Sequence, residues 1–246
     1  MGRYLLRFSS PSSQHLICFP WAGAGASVYR PWLPLLAGEV TLHGVQLPAR
    51  GSRISEPVPT NLQSEALHIA AEIEAAACAT CHLVGHSMGA KLAYLTAVVL
   101  CGRGVIVSSL TVMGCRGPGR ETARSRRNRA KMSDDDVIGY LRQFGGTPEE
   151  VLTNRELLDL LLGVVRGDLM MNAPPLLADA TVLPMPVLAI GGTADKHVSA
   201  EDIAAWRAVS GKAFTHQMID GGHFFPISHR DLVLASIRGH LRNAIL

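Results

Sequence analysis

The residues most able to do chemistry are Gly85-His86-Ser87-Met88-Gly89, which match the G-x-S-x-G pattern of a nucleophile elbow. The serine lies between an apolar run, His82-Leu83-Val84-Gly85, and a helical pattern, MGAKLAYLTAVVL. An elbow needs this arrangement, in which a strand turns sharply into a helix and the flanking glycines let the two backbones approach. A serine hydroxyl is a weak nucleophile until a base takes its proton, and the base needs an acid to orient it. On a strand-turn-helix scaffold of this kind the order along the chain is Ser, then Asp or Glu, then His. Both later positions are filled. Asp195 follows the apolar run PVLAIGG, and His223 follows FTHQMIDGG. Asp195 is the expected acid. Asp220 is a second candidate, but it lies three residues from His223 at the same strand end. His223 is the expected base. His197, close to Asp195, is a weaker rival, and His86 sits too near Ser87 in the chain to reach its oxygen.

Acyl transfer also needs donors for the developing oxyanion, usually two backbone N–H groups. The residue after the nucleophile, Met88, supplies one. The glycine-rich loop Pro20-Trp21-Ala22-Gly23-Ala24-Gly25-Ala26 supplies the other, with Ala22 the expected donor and Trp21 next. As a dinucleotide loop this segment fails, because Val28 stands where G-x-G-x-x-G wants glycine. Cys78-Ala-Thr-Cys81-His82 fits the C-x-x-C-H pattern of haem attachment. Cys81 and His82 open the strand that leads into the elbow, however, so a macrocycle has no room there. The two cysteines read instead as small apolar residues at the end of a helix and the start of a strand, and Cys81 and His82 as packing the strand that holds Ser87. No second pair of ligands at zinc spacing accompanies them, so neither metal nor cofactor is expected.

Repeated β-α units are expected to position these groups. Strands are predicted at 15–19, 40–47, 81–85, 109–114, 186–191 and 213–219. Helices are predicted at 28–36, 61–77, 89–100, 199–209 and 228–244. Apolar residues at 62, 66, 69, 70 and 73 give the second helix its period. Between 115 and 183 the alternation stops. That stretch shows helix starts at Ser133-Asp-Asp-Asp136, Thr147-Pro-Glu-Glu150 and Thr153-Asn-Arg-Glu156, and no convincing strand. The expected fold is α/β: a mostly parallel sheet covered by helices on both faces. We expect one domain over 1–246 with a helical lid inserted at about 116–183.

The 246 residues suit one well-buried core. With 48% hydrophobic and 17% charged residues, the composition is that of a globular protein. The five cysteines (18, 78, 81, 101, 115) form no disulfide framework. The opening MGRYLLRFSSPSSQ lacks the apolar region of a secretion signal, and no run is long enough to span a bilayer. A cytoplasmic protein is expected. The net charge of +3 does not argue for nucleic acid. The charge is concentrated, though: residues 116–131 hold seven Arg or Lys and one Glu. That run reads as a solvated loop or as a docking surface, through Arg124, Arg126 and Arg127, for an acidic partner.

The chain resembles the type II, or editing, thioesterases of polyketide and nonribosomal peptide biosynthesis. The likeness runs nearly end to end, through CFPWAGAGASVYRPW, VQLPAR, GHSMGAKLAY, MSDDDVIGYLRQFGGTPEEVL, LLLGVVRGDL, IGGTAD, EDIAAW and DGGHFF. The resemblance implies an α/β-hydrolase fold with a mobile helical lid. It also implies hydrolysis of acyl groups from the phosphopantetheine arm of acyl or peptidyl carrier proteins. By motif it places the nucleophile on Ser87, the acid on Asp195, the base on His223, and the oxyanion donors on Met88 and the Ala22 neighbourhood. The chain departs from the family at Ala22-Gly23-Ala24, where Ala-Gly-Gly is usual. It also departs at Ala49, where glycine is frequent, and at Lys91, usually apolar. A carboxylester hydrolase or an acyltransferase on the same scaffold would share the triad. A non-catalytic module that binds an acyl group or a carrier protein is the alternative of another class.

Overall fold

The computed structural model describes residues 3–76, 78, 80–120, 132–147, 149–174, 176 and 180–244. Seven strands form one sheet: β1 (Leu5–Arg7), β2 (Gln14–Phe19), β3 (Thr41–Val45), β4 (Thr80–His86), β5 (Ser109–Met113), β6 (Val187–Gly192) and β7 (Phe214–Ile219). Their order across the sheet is β1-β3-β2-β4-β5-β6-β7. All neighbours pair in parallel except β1, which runs antiparallel to β3 at the edge. The expected α/β architecture is therefore present. The short edge strand β1 is an addition. Its three residues, Leu5-Leu6-Arg7, are too few to carry a readable alternation, and pairing with β3 holds them.

Strands β2 to β6 are largely buried on both faces, because successive side chains point to opposite sides and each side is covered, whereas the edge strand β7 leaves Thr215, His216 and Gln217 exposed. Ile17 and Phe19 of β2 join a core with Leu83, Leu110 and Val187. Helices α2 (Leu62–Ala75) and α3 (Met88–Gly102) cover that face. Leu16 and Cys18 point the other way, against Tyr29, Trp32 and Val233, Leu234 and Ile237 of α9 (Arg230–Asn243). The helix expected at 28–36 is instead a 3-10 helix, Ala26–Trp32, followed by the single turn α1 (Leu33–Leu36). Pro31 and Pro34 explain this. Each lacks the N–H that a continuous α-helix needs there. The helix expected at 199–209 starts as predicted, with Ser199 in a capping box with Asp202. It then divides into α7 (Ala200–Ala204) and a 3-10 helix, Ala205–Val209. A single turn, α8 (Phe225–Ser228), precedes α9.

Between β5 and β6 lie α4 (Asp134–Phe144), α5 (Glu149–Thr153) and α6 (Arg155–Met171). Ser133 caps α4 in a capping box with Asp136. At the start of α6 the cap is Asn154, one residue beyond the expected Thr153. The Asn154 side chain accepts from Leu157 N–H, while the Thr153 hydroxyl bonds back to Glu149 in α5. The three helices share a small core of their own, Val137, Leu141, Leu152, Leu162, Val165 and Leu169, which packs on Ala22. No helix among the described residues is long and apolar enough to cross a membrane.

Candidate active site

Ser87 sits between β4 and α3 with φ 56° and ψ −119°, a conformation that side-chain-bearing residues rarely adopt. The flanking glycines make it possible. A Cβ on Gly85 would overlap the Gly89 carbonyl, and a Cβ on Gly89 would overlap the Phe19 carbonyl on β2. Ser87 N–H donates to Met113 O of β5 at 2.8 Å, which fixes the turn from the other side. The result projects the serine oxygen beyond the carboxyl ends of the strands.

The two other expected groups come from the same end of the sheet. Asp195 follows β6, and His223 follows β7. His223 Nδ1 lies 2.7 Å from Asp195 Oδ2, and its Nε2 lies 3.1 Å from Ser87 Oγ. A carboxylate facing Nδ1 makes that nitrogen the donor, leaving Nε2 to accept from the serine hydroxyl. Burial pushes the Asp195 carboxyl up, but hydrogen bonds from His223 and from His197 N–H outweigh it, and the group stays below the ordinary carboxylate range. Its second oxygen accepts from His197 N–H at 2.9 Å. Asp220 instead accepts from the Thr193 hydroxyl and from Gly221 N–H. The structure therefore brings Asp195, not Asp220, to His223. His197 stacks on Phe144 (centroids 3.8 Å, 14°).

His86 is fully buried, its ring centroid 4.9 Å from that of His223. Burial holds it well below the ordinary histidine range, and the adjacent His223 adds to the effect. It is a neutral wall behind His223. Cys81 and His82 are fully buried in β4, and His82 Nδ1 meets Ser109 Oγ of β5 at 2.8 Å. They pack the strand as expected.

Met88 opens α3, so its N–H has no partner within the helix. Ala22 lies in a turn closed by Ala24 N–H donating to Trp21 O at 3.0 Å. Ala22, Ser87 and His223 line one narrow cavity, together with Trp21, Tyr140 and Phe144. Sequence reasoning missed Tyr140 and Phe144. Their signal was an aromatic pair at i and i+4 on α4, just before Gly145-Gly146. It also missed Asp168, a carboxylate on the same face of α6 as Leu162, Val165 and Leu169, fully buried against Arg50. A charge inside an apolar stripe was the readable sign. Arg124, Arg126 and Arg127 lie outside the described residues. Among the described residues, no group of three His, Cys, Asp or Glu is placed to hold a metal ion.

A family model described as a thioesterase domain matches residues 14–241. The gramicidin S biosynthesis protein GrsT of Aneurinibacillus migulanus is 30% identical over 218 residues, 88% of this chain and 84% of that protein. The solved structure of YbtT, a type II thioesterase from the yersiniabactin pathway, superposes with a TM-score of 0.88 at 28% identity, covering 98% of this chain and 99% of the other. RedJ, the thioesterase of prodiginine biosynthesis in Streptomyces coelicolor, gives 0.85 at 31% identity, covering 93% and 92%.

Proposed function

We propose that this chain, which belongs to the thioesterase family and is an acyl-thioester hydrolase of the α/β-hydrolase fold, uses Ser87, His223 and Asp195 as its catalytic triad. The observation that carries this reading is the continuous contact from Asp195 through His223 to Ser87 Oγ, at 2.7 and 3.1 Å. His223 Nε2 takes the proton as Ser87 Oγ attacks the thioester carbonyl. The oxyanion is received by the N–H groups of Met88 and Ala22. The tetrahedral intermediate collapses, His223 returns the proton to the departing thiol, and an acyl-enzyme remains. Water, deprotonated by His223, then attacks the ester and releases the acid.

The substrate is an acyl group on the phosphopantetheine arm of a carrier protein, and the role is editing of stalled polyketide or nonribosomal peptide synthases. Relatives in such pathways support this. The helices between β5 and β6 act as a lid on a single domain. Their position over the cavity supports that role. The acidic carrier protein docks on the basic run, at Arg124, Arg126 and Arg127. The five cysteines are unpaired, which supports a reducing, cytoplasmic setting.

The deciding experiment is release of acyl groups from a panel of acyl carrier proteins by wild type and Ser87→Ala. The variant is expected to lose activity by at least about 10³-fold. Undiminished release would overturn the mechanism. Matched thioester and oxygen-ester substrates place the enzyme between thioesterase and carboxylesterase.

A further inference from the structure

The turn that carries Ala22 is not held by the sheet alone. Gly23 N–H donates to Asp168 Oδ2 at 2.7 Å, and Asp168 belongs to α6, one of the inserted helices. Asp168 is fully buried and meets Arg50 in a two-pronged ion pair, Nη1 to Oδ2 and Nη2 to Oδ1, the second at 2.8 Å. Arg50 Nη1 also donates to the Ala24 carbonyl at 3.3 Å, and its Nε to Pro48 O at 3.1 Å. Gln46 braces the other side, donating to Arg50 O at 2.8 Å and accepting from Ala26 N–H at 3.2 Å. Gly23 and Ala24, immediately after Ala22, are thus gripped at one N–H and one C=O.

The conformation of the turn explains why that grip matters. It is closed from Ala24 N–H to Trp21 O, and Gly23 has φ 82°. These are features of a type II turn with Ala22 and Gly23 at its centre. The central peptide of such a turn can face either of two ways. An acceptor for Gly23 N–H selects one of them. Val165, one turn before Asp168 on α6, also packs so closely on Gly23 that a Cβ there would come within 2.7 Å of its side chain.

We propose that Asp168 is a positioning residue for the oxyanion hole. Its carboxylate, held by Arg50, anchors the Gly23 amide and so fixes where the Ala22 N–H meets the developing oxyanion. One donor of the hole is therefore set by an inserted helix, and the hole is complete only when α6 is seated. This rests on the triad reading, and the test separates the two. Ser87→Ala decides the triad, whereas variants at Asp168 act only on how far the active enzyme is slowed.

The test uses two double variants that lack the ion pair and leave no unpaired buried charge. Apolar or neutral replacements of both partners are the changes that buried pairs tolerate best. Arg50→Met with Asp168→Leu leaves Gly23 N–H without an acceptor. Arg50→Met with Asp168→Asn keeps a neutral one. On a small acyl thioester, kcat is expected to fall about 100-fold in the first and about fivefold in the second, with KM within about threefold of wild type in both. Inhibition by an acyl trifluoromethyl ketone, whose Ser87 adduct places an oxyanion in the hole, should weaken by the same two factors. Equal losses in both variants, or kcat within about twofold of wild type in both, would overturn the proposal. If the leucine pair does not fold, Arg50→Met with Asp168→Ala takes its place, because alanine also leaves Gly23 N–H without an acceptor. A kcat and ketone inhibition equal to those of the asparagine pair there defeat the proposal, and a further loss of about 20-fold confined to kcat and ketone affinity supports it.

Discussion

Phe144 stands edge-on to His223, with ring centroids 4.8 Å apart and planes at 86°. The ring ends α4, so a helix from between β5 and β6 delivers an aromatic wall directly against the expected base. Tyr140, one turn earlier, packs on it at 4.1 Å between centroids. Both line the cavity that holds Ser87. Phe144→Ala removes the wall and widens the space beside the serine. The ratio of kcat/KM for a bulky aryl-acyl thioester to that for an acetyl thioester should rise by about tenfold, the scale on which apolar pockets discriminate. An unchanged ratio would show that the ring does not limit the acyl group.

Ala49 has φ 66°, one of two residues other than glycine with positive φ among the described residues; the other is Ser87. The two differ in consequence. The Ser87 strain belongs to the elbow, whereas nothing at Ala49 needs a methyl group in the left-handed region. That conformation costs an L-residue about 1–2 kcal/mol, and glycine gives back part of the gain through its more flexible unfolded state. Ala49→Gly should stabilise the protein by about 0.5–1 kcal/mol. The check is the urea midpoint at unchanged slope, and a lowered midpoint would refute the assignment of strain.

The elbow and the candidate acid and base were legible as residues that meet because each follows a strand whose apolar run is visible, and strand ends converge at one edge of a parallel sheet. Ser87, Asp195 and His223 needed only chain order. Phe144 and Asp168 were not legible as site residues. Both sit on helices whose sequence shows the apolar period but not what the helix lies against. That information is tertiary: α6 had to be laid across the Ala22 turn before Asp168 had a partner in Arg50, 118 residues away. β1 was missed because three residues pair only when β3 is already in place. The break at 28–36 was readable in hindsight from Pro31 and Pro34, which outweigh the apolar spacing around them.

Lys91 shows another tie, between α3 and the end of α6. It is buried on α3, and its Nζ donates to the main-chain oxygens of Asn172 (2.9 Å) and Pro174 (2.8 Å) at the end of α6. A cation there suits the carbonyl-rich end of a helix. Lys91→Met keeps the stem but leaves those oxygens without these bonds, at a cost of about 1–3 kcal/mol. Proteolysis within 132–174 should then accelerate more than proteolysis elsewhere. A uniform change along the chain would mean that Lys91 acts only on global stability.

Buried histidines make the fold sensitive to acid. Burial lowers His82 to about 4, with His240 nearby adding to the effect. Burial likewise lowers His43 to about 4, helped by His15 and Arg7. Burial also depresses His86, His240, His15 and His197. A group whose folded value is depressed is destabilising once the unfolded chain begins to bind protons that the native state refuses. Stability is therefore complete above the ordinary histidine value of 6.5 and falls as pH drops towards about 4. Glu65 opposes this. Burial raises its carboxyl, so it returns some stability as pH falls towards its ordinary value, but it is one group against six histidines. The urea midpoint should hold steady from pH 8 to 7 and drop progressively between pH 6.5 and 4.5. His82→Gln removes one of these titrating groups and should flatten the slope while lowering the plateau, because the Ser109 contact is altered. A midpoint independent of pH between 7 and 5 would show that these imidazoles take up protons in the folded state as readily as in the unfolded one.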